Sequence, residues 1–164
     1  MFKQGFTLIE LIIVVAIIAL LAAATFVAVN PAKRIGDAQN SQRWSDVTSI
    51  ADAVAMSIAD NGGTLPCVGP IAAGSNIYAI ETYAASPITA TMTCNDNAVS
   101  PTVTLDCDAS LVTAGYLGLI PSDPNPDTVV ANWSGYFVNI NAAGIIHVGA
   151  CSVYDNSPEI EVFR

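Results

Sequence analysis

The sequence predicts an α+β protein, a long N-terminal apolar and then amphipathic helix packed on a small antiparallel sheet. Three observations predict it. An apolar run from Phe6 to Val29 has the length of a helix, a second stretch carries apolar residues every three or four positions up to Ile58, and short β-favouring segments divided by turn residues follow Trp133. Helix first and strands afterwards is the order of an α+β layer arrangement. With 164 residues the chain has room for one such helix and one small globular head.

Residues 1–5 form a short leader whose one basic residue is Lys3. Residues 6–29 span about 36 Å as a helix, enough to cross a bilayer with modest tilt. From Leu11 to Val29 only Thr25 interrupts the apolar run, and Glu10, just before it, is the one charge within residues 6–29. Asn30-Pro31 interrupts the helical pattern, because proline removes a backbone donor and clashes with the preceding turn. Residues 30–63 resume it: Trp44, Val47, Ile50, Ala51, Val54 and Ile58 make an apolar stripe, with Asp46, Ser49, Asp52, Ser57 and Asp60 largely on other faces. Asn61-Gly62-Gly63 is a stop signal.

Residues 64–164 form the head. Pro66, Pro70, Pro87 and Pro101 divide its first part into short stretches, of which Thr89–Thr93 and Thr102–Leu105 have the composition to pair. Ser110–Leu119 suggests a short helix, followed by the turn-rich Pro121–Asp127. Trp133–Ile140, Ile145–Val148 and Ile160–Phe163 read as strands, with Asn141–Gly144 as the turn between the first two.

The formal net charge is -9, and an acidic surface of this kind repels phosphate backbones, so direct nucleic-acid binding by the head is disfavoured. Lys33, Arg34 and Arg43 are the one basic cluster, just beyond the apolar helix. Lipid headgroups, the acidic head of a neighbouring copy, or plain solvent are all open as its surroundings. Cys67, Cys94, Cys107 and Cys151 include no C-x-x-C pair, and a zinc site would need all four scattered thiolates. Two disulfides suit an exported head with a small core. A short loop favours Cys94 with Cys107, and Cys67 with Cys151 would tie the C-terminal strand to the helix exit, although the sequence does not choose among the three connectivities. His147 is the only histidine and lies in a predicted strand, so no Ser-His-Asp set is arguable. Gly62-Gly63 lacks the lysine and context of a phosphate loop. The chain reads as non-enzymatic, with no cofactor.

The hexapeptide Gly5-Phe6-Thr7-Leu8-Ile9-Glu10 carries the most functional information. A charge inside a membrane helix costs about 2.5–3.5 kcal/mol on insertion scales, so Glu10 calls for a partner. Cutting after Gly5 would create one, the amine of Phe6. Together with Lys3 and the apolar helix, these residues resemble the type IV pilin superfamily, which includes type II secretion and competence pseudopilins. An ordinary signal peptide differs, with a longer basic region and a small-residue cleavage site after its apolar core.

The resemblance implies that a membrane-embedded prepilin peptidase cuts between Gly5 and Phe6 and methylates the new amine. It implies a single-pass inner-membrane precursor that polymerises with copies of itself through an assembly platform into a type IV pilus. A pseudopilin of a secretion or competence system is the alternative, and a membrane-anchored binding module that never polymerises is a third. Counting Lys33, Arg34 and Arg43 against Lys3 would place the head in the cytoplasm. The family's peptidase faces the cytoplasm and the cysteines favour an oxidising compartment, so the head is expected outside. Gly115-Tyr116-Leu117 and Ile120-Pro121-Ser122-Asp123-Pro124 resemble further pseudopilin elements. In major type II pseudopilins the region beyond them leads to a calcium site. Here no later acidic loop is recognisable, and Asp123 and Asp127 are weak calcium candidates that also suit turn capping.

Overall fold

A computed structural model of the chain describes residues 5–63, 77–81, 94, 103–125, 133–141, 143–154 and 159–164. It divides into two compact units, Met1–Asp37 and Ala38–Arg164.

In the first unit, helix α1 runs Leu8–Val29 and none of its 22 residues is buried. Thr7 is its N-cap: the Thr7 Oγ1 accepts from the backbone N–H of Glu10 at 3.3 Å, satisfying one of the four donors that a helix start leaves open. Helix α1 ends where expected. Asn30 takes the left-handed conformation with φ 43°, and helix α2, Pro31–Asp60, begins at the next residue. Proline suits the first helical position because the N–H it lacks would have no partner there. Asn30 serves both helices, since its Oδ1 accepts from Lys33 N at 3.4 Å while its backbone closes α1.

In the second unit, α2 from Ala38 onward covers one face of a five-stranded sheet. The strands are β1 Ile77–Glu81, β2 Val103–Asp106, β3 Trp133–Ile140, β4 Ile146–Ala150 and β5 Glu161–Phe163, in the order β2-β1-β3-β4-β5. Strands β1, β3, β4 and β5 pair antiparallel, as the fold class requires. The β2 edge differs from expectation: it pairs parallel with β1, with Tyr78 opposite Val103. Thr89–Thr93, its expected partner, lies outside the described residues. A second correction concerns Ser110–Leu119, where the structure has a single wide turn at Asp108–Val112 instead of a helix over that range.

Side chains alternate across the sheet. Tyr136, Val138 and Ile140 of β3, Tyr78 and Ile80 of β1, and Val148 of β4 point into one core with Val47, Ile50, Ala51 and Val54 of α2. The other face carries Ala79, Trp133 and Phe137 with Cys94 and Cys151. Gly149 is needed there, because a Cβ at that position would collide with the Phe137 ring.

The buried stripe of α2 departs from the expected one at both ends. Trp44 is 43% exposed, whereas Arg43 and Ser57 are buried. The Ser57 carbonyl and hydroxyl both accept from Asn61 Nδ2, at 2.8 and 3.3 Å, so its burial leaves no polar atom open at the helix end. The stop signal holds: Gly62 and Gly63 have φ 64° and 89°, and Gly63 N donates to Ile58 O at 2.9 Å.

Candidate processing and assembly site

Gly5 has no heavy atom within 4 Å of the place a Cβ would occupy, and Phe6 beside it is 86% exposed. Among the described residues, nothing crowds the peptide between them. Thr7, itself extended, fixes the start of α1 immediately downstream, so the bond precedes the regular helix. Glu10 is the third residue of α1, in the first turn, where the aligned peptide dipoles favour an anion. It therefore has local support at the helix start, and the residue is exposed.

Beyond Glu10 the helix is apolar on all sides. Ile12, Val15, Leu20, Leu21 and Phe26 are each more than half exposed. Thr25, the one hydroxyl after Glu10, donates back to Ala22 O at 2.9 Å and so presents no unpaired donor. A helix apolar all round must be covered by lipid or by other apolar helices. Among the described residues it is the one run long and apolar enough to cross a membrane.

The head builds a buried polar cluster that sequence analysis missed. Arg43 Nε donates to Asp123 Oδ2 and Nη2 to Oδ1, both at 2.8 Å, while Nη1 donates to Asn40 Oδ1 at 2.8 Å. Asn40 also holds the chain before β5, donating from Nδ2 to Tyr154 O at 3.2 Å and accepting from Tyr154 N at 3.0 Å. Asp123 Oδ1 accepts from Asn125 N at 2.8 Å, and Asp123 N donates to Ser134 O at 2.7 Å. Tyr136 OH donates to Asp46 Oδ2 at 2.7 Å. Burial is the main reason that the Asp46 carboxyl is held above its usual range, with Asp123 adding to it and the Tyr136 hydrogen bond working against it. Burial likewise raises the Tyr136 phenol, reinforced by Asp46.

Two sequence expectations are corrected by this cluster. Arg43 does not stand with Lys33 and Arg34 in an exposed basic cluster; it is an internal ion-pair partner. Asp123 is not open to calcium, because Arg43 occupies both its oxygens. Asp127 lies outside the described residues. The phase of α2 was the signal for Arg43, since it precedes Val47 by four positions and Ile50 by seven, on the buried stripe.

The expected cysteine pairing is also corrected. Cys94 bonds Cys151, closing a sequence separation of 57, and tethers the end of β4 beneath Trp133 and Phe137. Cys107 is disulfide-bonded as well, while Cys67 lies outside the described residues. His147 is packed: it stacks on Phe163 at 4.4 Å, meets Phe137 edge-on at 5.4 Å, and sets Nε2 2.9 Å from Glu161 Oε2.

A capped apolar helix with one early carboxylate, followed by a disulfide-bonded α+β head, fits a type IV pilin or pseudopilin. Residues 1–26 match the family described as the prokaryotic N-terminal methylation motif, so the chain carries the type IV pilin and pseudopilin signature. No curated protein and no solved structure matches the chain significantly. The matched motif belongs to structural chains rather than to enzymes, and with α1 it fits membrane anchoring before assembly.

Proposed function

We propose that the chain is a structural subunit of a type IV pilus, made as an inner-membrane precursor, cut after Gly5 by a prepilin peptidase, methylated at Phe6 and polymerised through α1. The observation that carries this is a 22-residue helix with no buried residue and a single carboxylate, Glu10, in its first turn. Lipid covers that surface in the precursor, and the helices of other copies cover it in the fibre. Dispersion contacts and apolar burial survive the transfer, so the carboxylate is the group that discriminates one packing register from another. In the fibre Glu10 meets the Phe6 amine of an adjacent copy, and an unpaired carboxylate in a helix bundle opposes every other register. Adhesion, motility and uptake are the functions open to such a fibre.

The disulfide-bonded head suits an oxidising compartment, which both an extracellular pilus and a periplasmic pseudopilus occupy. A secretin and several companion pseudopilins encoded beside this chain would favour the pseudopilus instead.

Glu10→Leu tests the mechanism. The variant is expected to be processed and retained in the membrane but to enter sheared fibres poorly. Fibre yield equal to wild type, in cells without a wild-type copy, would refute the pairing. Intact mass of assembled subunits should begin at Phe6, and finding Met1 there would refute the processing. A monomeric chain with no fibre pellet would favour the non-polymerising anchor.

A further inference from the structure

After cleavage at Gly5 the chain retains four cationic side chains, Lys33, Arg34, Arg43 and Arg164. The head consumes two of them. Arg43 is bound to Asp123 inside it, and Arg164 Nε lies 2.8 Å from Asp52 Oδ1 at its surface. From Ala38 onward the sequence contains twelve carboxylates and only those two arginines. Lys33 and Arg34 are exposed, and they occupy the first turn of α2, which contains no acidic residue. That turn is the positive end of the helix, so both cations stand against the local field. Asp37 is four residues beyond Lys33, but it is one charge against two, and a cation N-terminal to its anion is the weaker orientation on a helix.

We propose that Lys33 and Arg34 dock on the carboxylate-rich head of a second copy of this chain. The proposal rests on the polymerisation reading above. Copies brought side by side present like-charged heads and repel, and a close-packed array of them needs counter-charge. The two side chains not already committed to the head's own carboxylates are the ones available to supply it. Each copy carries both halves of the contact, the cations before Ala38 and the carboxylates after it, so copies can engage head to tail in a heterologous contact. Heterologous contacts that do not close into a ring propagate into open filaments, whereas two copies related by a two-fold axis would satisfy each other and stop.

Lys33 is the only lysine downstream of the leader, which makes its cross-links unambiguous. Cells carrying the full-length chain are switched from light to heavy nitrogen during fibre growth, and the sheared fibres are treated with a carbodiimide that joins amines to carboxylates. Cross-linked peptides pairing Lys33 with a carboxylate of residues 38–164, one half light and the other heavy, are expected. Cross-links confined to Asp37 of the same chain would overturn the proposal. The double variant Lys33→Glu with Arg34→Glu should remain processed and membrane-inserted while its fibre yield falls by about tenfold or more, since like charges across an interface are strongly disfavoured. Lys33→Arg should retain wild-type yield. Fibres from the charge-reversed chain at wild-type yield would overturn the contact and leave polymerisation standing. The same would hold if that chain lost only its preference for anionic over zwitterionic vesicles, which would assign the pair to lipid. Absence of fibres from the wild-type chain would sink the polymerisation reading and this contact with it.

Discussion

Arg43 of α2 and Asp123, the residue that precedes Pro124 ahead of β3, form a two-point ion pair inside the head, with side chains 2% and 0% exposed. Each guanidinium nitrogen that faces the carboxylate has its own oxygen at 2.8 Å, and the third nitrogen is taken by Asn40. The pair fixes where the Pro121–Asn125 segment crosses the helix. It also links that segment, through Asn40, to the chain at Tyr154.

Removing one partner leaves the other charge buried and uncompensated. Arg43→Met and Asp123→Asn are each expected to destabilise the head by about 3–5 kcal/mol. The double variant should recover much of that loss, because the desolvation of both charges disappears along with their attraction. Denaturant melts of the disulfide-intact chain give the three values. Additive losses in the double variant would show that the two residues act separately.

Gly135 is required by the same ion pair. Its φ is 86°, and a Cβ there would lie 2.6 Å from Asp123 Cβ. Gly144, in the turn between β3 and β4, has φ 83° but nothing within 4 Å. Gly144→Ala thus isolates the backbone cost of a left-handed residue, about 1–2 kcal/mol. Gly135→Ala adds a collision with a side chain that cannot retreat, and its loss should exceed that of Gly144→Ala by a clear margin in the same melts. Equal losses would mean that the Pro121–Asn125 segment yields freely.

Much of this architecture is legible in the residues, and the misses have a common cause. Helix α1 follows from a long apolar run interrupted only by Thr25 after Glu10, and the β3–β4 hairpin from alternation around Asn141 and Gly144. Both are local signals. The parallel pairing of β1 with β2 is non-local and carries no turn signature, so composition suggested a hairpin instead. Cysteine connectivity is non-local in the same way, and loop length pointed to the wrong partner for Cys94. Arg43 was misplaced because its charge was weighed before its phase on the helix. At the candidate site, Gly5, Phe6 and Glu10 stand out in the sequence because they belong to a short linear motif, and the match over residues 1–26 covers them. The buried cluster does not, since Asn40, Arg43, Asp123 and Tyr154 meet only after folding.

Asp46 gives the head a specific acid-side signature. Its carboxyl is raised above 3.8 chiefly by burial, so the folded state holds that proton to higher pH than the unfolded chain does. In the window from 3.8 up to the folded value the native state binds more protons, and this group's contribution to stability falls as pH rises. Asp46→Asn keeps an acceptor for the Tyr136 hydroxyl and removes the titration. Stability measured across that window should lose the falling component in the variant. A pH profile that coincides with wild type would show that Asp46 titrates alike in both states.

The Cys94–Cys151 bond ties the end of β4 to a segment 57 residues earlier. It lies under Trp133 and Phe137, on the sheet face that α2 does not cover. Closing a loop of that length removes unfolded-chain entropy worth about 4 kcal/mol at 25 °C. Packing adds a separate contribution, because the sulfurs cover two aromatic rings. Replacing both cysteines with Ala, so that no lone thiol can exchange with the bond at Cys107, should lower stability by about 2–5 kcal/mol. The loss should be seen on the β3–β4 side first, as faster amide exchange near Phe137 and Gly149 than at Val47 and Ile50 on the helix face. Uniform loss of protection over both faces would show that the bond supports the whole head rather than this layer. Unchanged stability would show that the aromatic layer holds the β4 end without it.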